Sequence, residues 1–160
     1  MIKLCFVCLG NICRSPTAEG IMKALVSKFS LENSIEVDSA GTGAWHSGEK
    51  ADPRSRAVAQ TRGLDLTSRS RQFKSEDFSE FDYVLAMDNS NLQNLRALAD
   101  ETSSTKLFLL RSFDPQSPKS ADVPDPYYGG PRGFEDVFDI CEAACTGLLH
   151  YIQKNDLQQK

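Results

Sequence analysis

Leu4-Cys5-Phe6-Val7-Cys8-Leu9-Gly10-Asn11-Ile12-Cys13-Arg14-Ser15-Pro16 passes from an apolar run, through a short polar turn, to a proline. Ile2 to Val7 is short and largely apolar, the pattern of a strand covered on both faces. From Pro16 to Phe29, Ala18, Ile21, Met22, Leu25 and Phe29 recur at helical spacing. Ser15 is the expected N-cap and Pro16 the expected first helical residue. Between strand and helix, a thiol (Cys8) and a guanidinium (Arg14) bracket five residues, of which Gly10 and Asn11 suit sharp turns. Curled into a loop, this spacing turns backbone N–H groups inward around a tetrahedral oxyanion. The helix that follows adds the positive end of its dipole. Such a field favours a thiolate, so Cys8 reads as a nucleophile facing a bound phosphate. A bare Cys-x5-Arg arises by chance about 0.3 times in a chain of this composition. Its place between a strand and a helix start makes it informative.

Further along, Ile35-Glu36-Val37-Asp38 reads as a second strand, followed by a turn around Gly41 and Gly43. Asp52-Pro53 is an N-cap and first position for a helix to Arg62, with Gly63 as its terminator. Tyr83 to Met87 is a third strand. A helix from about Ser90 to Ala99 turns Leu92, Leu95 and either Leu98 or Ala99 inward, and Lys106 to Leu110 is a fourth strand. Ser112 to Arg132, with five prolines, is the longest irregular stretch, and such loops tend to carry function. A last helix starts near Gly133, with an apolar stripe from Phe134 to Ile152.

Alternating strands and helices imply a single α/β domain with a parallel sheet covered by helices on both faces. Its chemistry belongs beyond the carboxyl ends of the strands, where Cys8, Ser39 and Asp88 all fall. The expected domain spans 1–155, with 156–160 a short polar tail.

The 160 residues suit one domain, and 40% hydrophobic with 25% charged residues is ordinary for a globular protein. No stretch approaches the ~20 apolar residues of a membrane span, and no signal peptide precedes the first strand, so a cytoplasmic enzyme is expected. A net charge of −4 argues against nucleic acid as partner. The arginines from Arg54 to Arg71 read as a solvated surface. Five unevenly spaced cysteines do not form a secreted disulfide framework. Cys5, Cys141 and Cys145 fall in core-facing patterns. His46 and His150, with no Cys/His cluster, give no reason to expect a metal.

Three separated segments, Cys8 to Ser15, Asp38-Ser39-Ala40-Gly41-Thr42 and Asp125-Pro126-Tyr127-Tyr128-Gly129-Gly130, resemble the low-molecular-weight protein tyrosine phosphatases. The likeness runs from Ile2 to about Ile152. It implies a four-stranded, parallel, doubly wound sheet and hydrolysis of phosphotyrosine through a phosphocysteine. It also implies no cofactor or metal, phosphotyrosine proteins as partners with inorganic phosphate released, no membrane contact, and a monomer or weak dimer.

Under this resemblance Cys8 is the nucleophile, and the planar fork of Arg14 matches two phosphate oxygens. Asp125 protonates the departing phenol and later deprotonates the attacking water. Leu9, Gly10, Asn11, Ile12, Cys13 and Ser15 form the substrate-binding loop, with the Ser15 hydroxyl donating to the thiolate. Asn11 braces that loop from a left-handed conformation, with Ser39 as its partner, and Asp88 supports loop structure. Trp45, Tyr127 and Tyr128 wall an aromatic slot deep enough to disfavour phosphoserine. Cys13 is implied as a disulfide partner for Cys8 under peroxide, or else a buried filler. One departure is Ser68, which stands where many members carry a histidine.

Three rivals were weighed. Arsenate reductases of the same fold need two further mid-chain cysteines, and none lies between Cys13 and Cys141. A phosphocysteine carrier of a sugar phosphotransferase system has no use for Asp125. A catalytically dead phosphotyrosine-binding module has no need of Cys8, Arg14 and Asp125 together.

Overall fold

The computed structural model describes residues 1–157. Four strands, β1 (Ile2–Cys8), β2 (Ile35–Gly41), β3 (Tyr83–Ala86) and β4 (Leu107–Leu109), form one parallel sheet in the order β2-β1-β3-β4. The α-helices are α1 (Arg14–Lys28), α2 (Pro53–Thr61), α3 (Asn89–Leu98) and α4 (Gly133–Ile152).

The side-chain alternation of β1 divides the core. Leu4, Phe6 and Cys8 face a large cluster with Ala18, Ile21 and Met22 of α1 and the buried stripe of α4. Cys5 and Val7 face the other side, with Phe73, Phe78, and Leu92 and Leu95 of α3. Both faces are covered, which is why β1 and β3 are apolar without alternation. Cys5, Cys141 and Cys145 are fully buried in these clusters. At the end of α3 it is Ala99, not Leu98, that packs inward; Leu98 stays 43% exposed.

Strand β2 runs on to Gly41, so Ser39 lies within it and not beyond its end, and two further boundary differences bear on packing. Helix α1 begins at Arg14, two residues early, and Cys13 precedes it without a side-chain cap. Ser15 therefore lies in the first turn and is not an N-cap. Its oxygen is turned away from the helix amides towards Cys8 and Asn11. Pro16 still fits because first-turn N–H groups have no helical acceptor. At the other end, Gln153–Leu157 continues α4 as a π-helical turn. Asp156 accepts a hydrogen bond from the Tyr83 hydroxyl at 2.5 Å, and Leu157 packs on the core. The packed chain thus runs past 155. Residues 158–160 of the expected tail lie outside the described residues.

Candidate active site

The chain leaves β1 at Cys8 and turns back to α1 through residues 9–13. Asn11 sits at φ 56°, the left-handed region that asparagine tolerates better than most residues. Two donors are aimed at the Cys8 sulfur. The Asn11 N–H lies 3.3 Å away and the Ser15 Oγ 3.0 Å away.

Asn11 Nδ2 donates to Ser15 Oγ at 2.8 Å and to Ser39 Oγ at 2.9 Å. Ser39 in turn donates to buried Glu19 at 2.5 Å, and Lys23 pairs with the other oxygen of Glu19. Ser15 Oγ thus accepts from the asparagine amide, and its own O–H has two acceptors in reach, the Cys8 sulfur at 3.0 Å and the Ala40 carbonyl at 3.4 Å, of which the sulfur is the closer. Asn11 Oδ1 accepts from the Arg71 N–H at 3.0 Å, so both N–H donors and the oxygen of its amide are engaged. Asn11 and Ser15 are thus buried braces beneath the loop; their side chains do not line the pocket. Glu19 was not anticipated from the sequence.

Arg14 is 4% exposed and held by Asp88 and by the Val123 carbonyl, at 2.5 and 3.1 Å. Both contacts use Nη1, which leaves Nε and Nη2 as a fork without protein partners among the described residues. Burial opposes its charge, but Cys8, Asp88 and Asp125 outweigh burial and hold the guanidinium pKa above its ordinary value. Asp88 also caps α3 through the Asn91 N–H at 2.7 Å. One carboxylate thus ties the arginine to the sheet edge.

A cup of about 270 Å³ opens over Cys8. Leu9, Gly10, Ile12, Cys13 and Arg14 line its base, and Trp45, Asp125, Tyr127 and Tyr128 its walls. His46 and Pro126 join them unforeseen. Trp45 is 72% exposed and rests on the backbone at Gly43, where an added Cβ would come within 1.8 Å of the indole. This close approach is the reason for glycine at 43. Asp125 precedes Pro126, so its backbone is extended (ψ 120°), and its Oδ1 accepts from the Tyr127 N–H at 3.0 Å.

Cup base and wall are tied by Asp52, foreseen only as the cap of α2. Its N–H donates to the Ile12 carbonyl at 2.7 Å, and its Oδ2 accepts from the Tyr127 hydroxyl at 2.9 Å. Arg54 grips the same carboxylate and stacks 4.8 Å from the Tyr127 ring and 4.6 Å from Phe134. Burial pushes Asp52 towards the neutral acid, but these hydrogen bonds outweigh it and hold its pKa below the ordinary carboxylate range. Cys13, beneath the same wall, is pushed by burial up to about 11 and stays a neutral thiol.

The arginines between 54 and 71 lie at the surface, exposed or half-buried, and most of them are paired there. Arg62 pairs with Asp139, Arg69 donates to the Gly48 carbonyl, and Arg71 bridges Asp38 and Asp77. No group of metal-ligating side chains is found among the described residues.

The family model for low molecular weight phosphotyrosine protein phosphatase matches residues 3–159. This chain belongs to that family. A low molecular weight protein-tyrosine-phosphatase of Streptomyces coelicolor is 49% identical, with 95% of this chain and 94% of that protein covered. The human low molecular weight phosphotyrosine protein phosphatase is 40% identical over 90% and 91%. Among solved structures, a protein tyrosine phosphatase from Entamoeba histolytica superposes with TM-score 0.91 at 44% identity, covering 96% and 98%. A Drosophila arginine phosphatase shares the family fold at TM-score 0.88 and 34% identity, covering 97% and 100%.

Proposed function

We propose that this protein hydrolyses phosphotyrosine in proteins through a phosphocysteine intermediate. The observation that carries the reading is one cup holding a sulfur with two donors aimed at it, a buried arginine fork and a carboxyl on the wall. The Cys8 thiolate attacks phosphorus while the bond to the phenol oxygen breaks, and the Asp125 carboxyl gives that oxygen its proton. The Asp125 carboxylate then takes a proton from a water that attacks phosphorus. The S–P bond breaks, releasing inorganic phosphate and restoring the thiolate. The transition state is loose, so the rate depends on holding the three equatorial oxygens, the task of the loop amides and Arg14.

Apolar Ile12 and the rings of Trp45, Tyr127 and Tyr128 offer a flat phenyl ester an apolar slot. Oxidation by peroxide would make Cys8 a sulfenic acid, which the Cys13 thiol attacks, expelling water and forming a disulfide. No helix among the described residues is long and apolar enough to cross a membrane.

Turnover of p-nitrophenyl phosphate, a phosphotyrosine peptide and a phosphoarginine peptide tests the assignment. Cys8→Ser is expected to be inactive. Asp125→Ala is expected to lose roughly 10²–10⁴-fold on poor leaving groups and less on activated ones. Equal losses on both remove Asp125 from the acid role, and faster turnover of the phosphoarginine peptide removes the substrate assignment.

A further inference from the structure

A second concavity of about 510 Å³ adjoins the cup and shares Leu9 and Trp45 with it. Those two side chains form a ridge between the hollows. Beyond the ridge the floor includes Thr42, and the far wall is Leu98 at the end of α3, beside Asn94. Trp45, Leu9 and Leu98 are 72%, 43% and 43% exposed, so three large apolar side chains surround one opening. Exposed Gln72, Lys74, Ser75 and Glu76 complete the lining around buried Phe73, so an apolar patch with a polar and charged edge lies beside the reaction centre, the make-up of a contact site. The indole of the ridge lies directly on Gly43. The Thr42 hydroxyl in the cleft floor is buried without a hydrogen-bond partner among the described residues.

We infer that this cleft seats a large apolar side chain of the substrate protein, two residues from its phosphotyrosine. The inference rests on the tyrosine phosphatase reading and adds a sequence preference to it. In an extended peptide, side chains at i and i±2 point the same way, about 6.6–7 Å apart. That is the span needed to straddle a ridge one side chain wide. A phosphotyrosine lowered into the cup therefore carries its ±2 neighbour over Trp45 and Leu9 into the cleft. Continuity with the cup favours this occupant over a second copy of the chain.

The test compares phosphotyrosine peptides carrying Leu or Ser at −2 and, separately, at +2, on wild type and Leu98→Ser. Leu98 touches neither the cup nor the core, and a thermal melt checks that the variant folds. p-Nitrophenyl phosphate, too small to reach the cleft, reads the chemistry alone. Wild type is expected to favour Leu at −2 or at +2 by roughly 10-fold in kcat/KM, the size of a partly buried leucine side chain. Leu98→Ser is expected to shrink that ratio to about 3-fold or less with p-nitrophenyl phosphate turnover unchanged. No preference at either position, or a preference that Leu98→Ser leaves intact, overturns the inference while the phosphatase reading stands. A flat peptide profile with a Leu98-dependent change in sedimentation assigns the cleft to self-association and equally overturns it. Loss of p-nitrophenyl phosphate turnover in wild type removes the phosphatase reading, and this inference with it.

Discussion

Asn11 joins backbone shape to chemistry in one residue. Its φ of 56° turns the loop so that its own N–H faces Cys8, and its amide then occupies Ser15, Ser39 and the Arg71 N–H. Alanine would lose three buried hydrogen bonds at about 1 kcal/mol each and add about 1–2 kcal/mol of left-handed strain. Asn11→Ala is therefore expected to cost about 4–5 kcal/mol in urea unfolding, with kcat falling more than KM rises. Asn11→Gly should recover only the backbone part, and equal costs for the two variants would mean that the amide bonds contribute little. The tolerance of asparagine for a left-handed turn was legible in the sequence, as was Ser39 as its partner under the family resemblance. Glu19 was not. A lone carboxylate on an amphipathic helix reads as a solvated residue, and only the folded chain brings the Ser39 hydroxyl against it, 20 residues away.

Elements were legible where periodicity is strong, and their ends were not where chemistry competes. Four strands and four helices were all foreseen, yet α1 starts early because Ser15 serves the sulfur and not the helix amides. The proline-rich stretch from 112 to 132 was legible only as irregular. What orders it is non-local: Val123 N donates to the Met87 carbonyl at 2.7 Å, Arg14 to the Val123 carbonyl, and Tyr127 to Asp52. None of those pairings leaves a mark in local sequence. The Tyr127 tie has a measurable consequence, because the N–H of the same residue orients Asp125. Tyr127→Phe keeps the ring, its contact with Arg54 and the backbone bond, but frees the acid-bearing loop from Asp52. Proton donation should suffer and phosphate binding should not. We expect about a 10-fold fall in kcat on phenyl phosphate and under about 3-fold on p-nitrophenyl phosphate, whose phenolate leaves with little help. Equal falls on both esters would place the role of Tyr127 in binding alone.

Over the whole molecule, the cysteines behave as core residues, and that ties stability to pH. Burial raises the thiol pKa of Cys5 and Cys145 well above the ordinary 9.0, that of Cys13 to about 11 and that of Cys141 to about 12. A raised acid keeps its proton in the folded state at a pH where the unfolded chain has already lost it. Below about pH 9 these groups leave stability unchanged; above it, stability falls as pH climbs towards the folded values. Each thiol costs on the order of 1 kcal/mol by pH 10, so the four together cost on the order of 5 kcal/mol. That is comparable with the whole stability of an ordinary domain, about 5–15 kcal/mol. Urea midpoints should hold steady from pH 7 to 8 and drop steeply between 9 and 10. Replacing both Cys5 and Cys145 with alanine lowers stability at every pH by leaving small cavities, but should roughly halve the alkaline slope. An unchanged slope in that double variant would mean that these thiols ionise without unfolding the core, contrary to their full burial beneath both faces of the sheet.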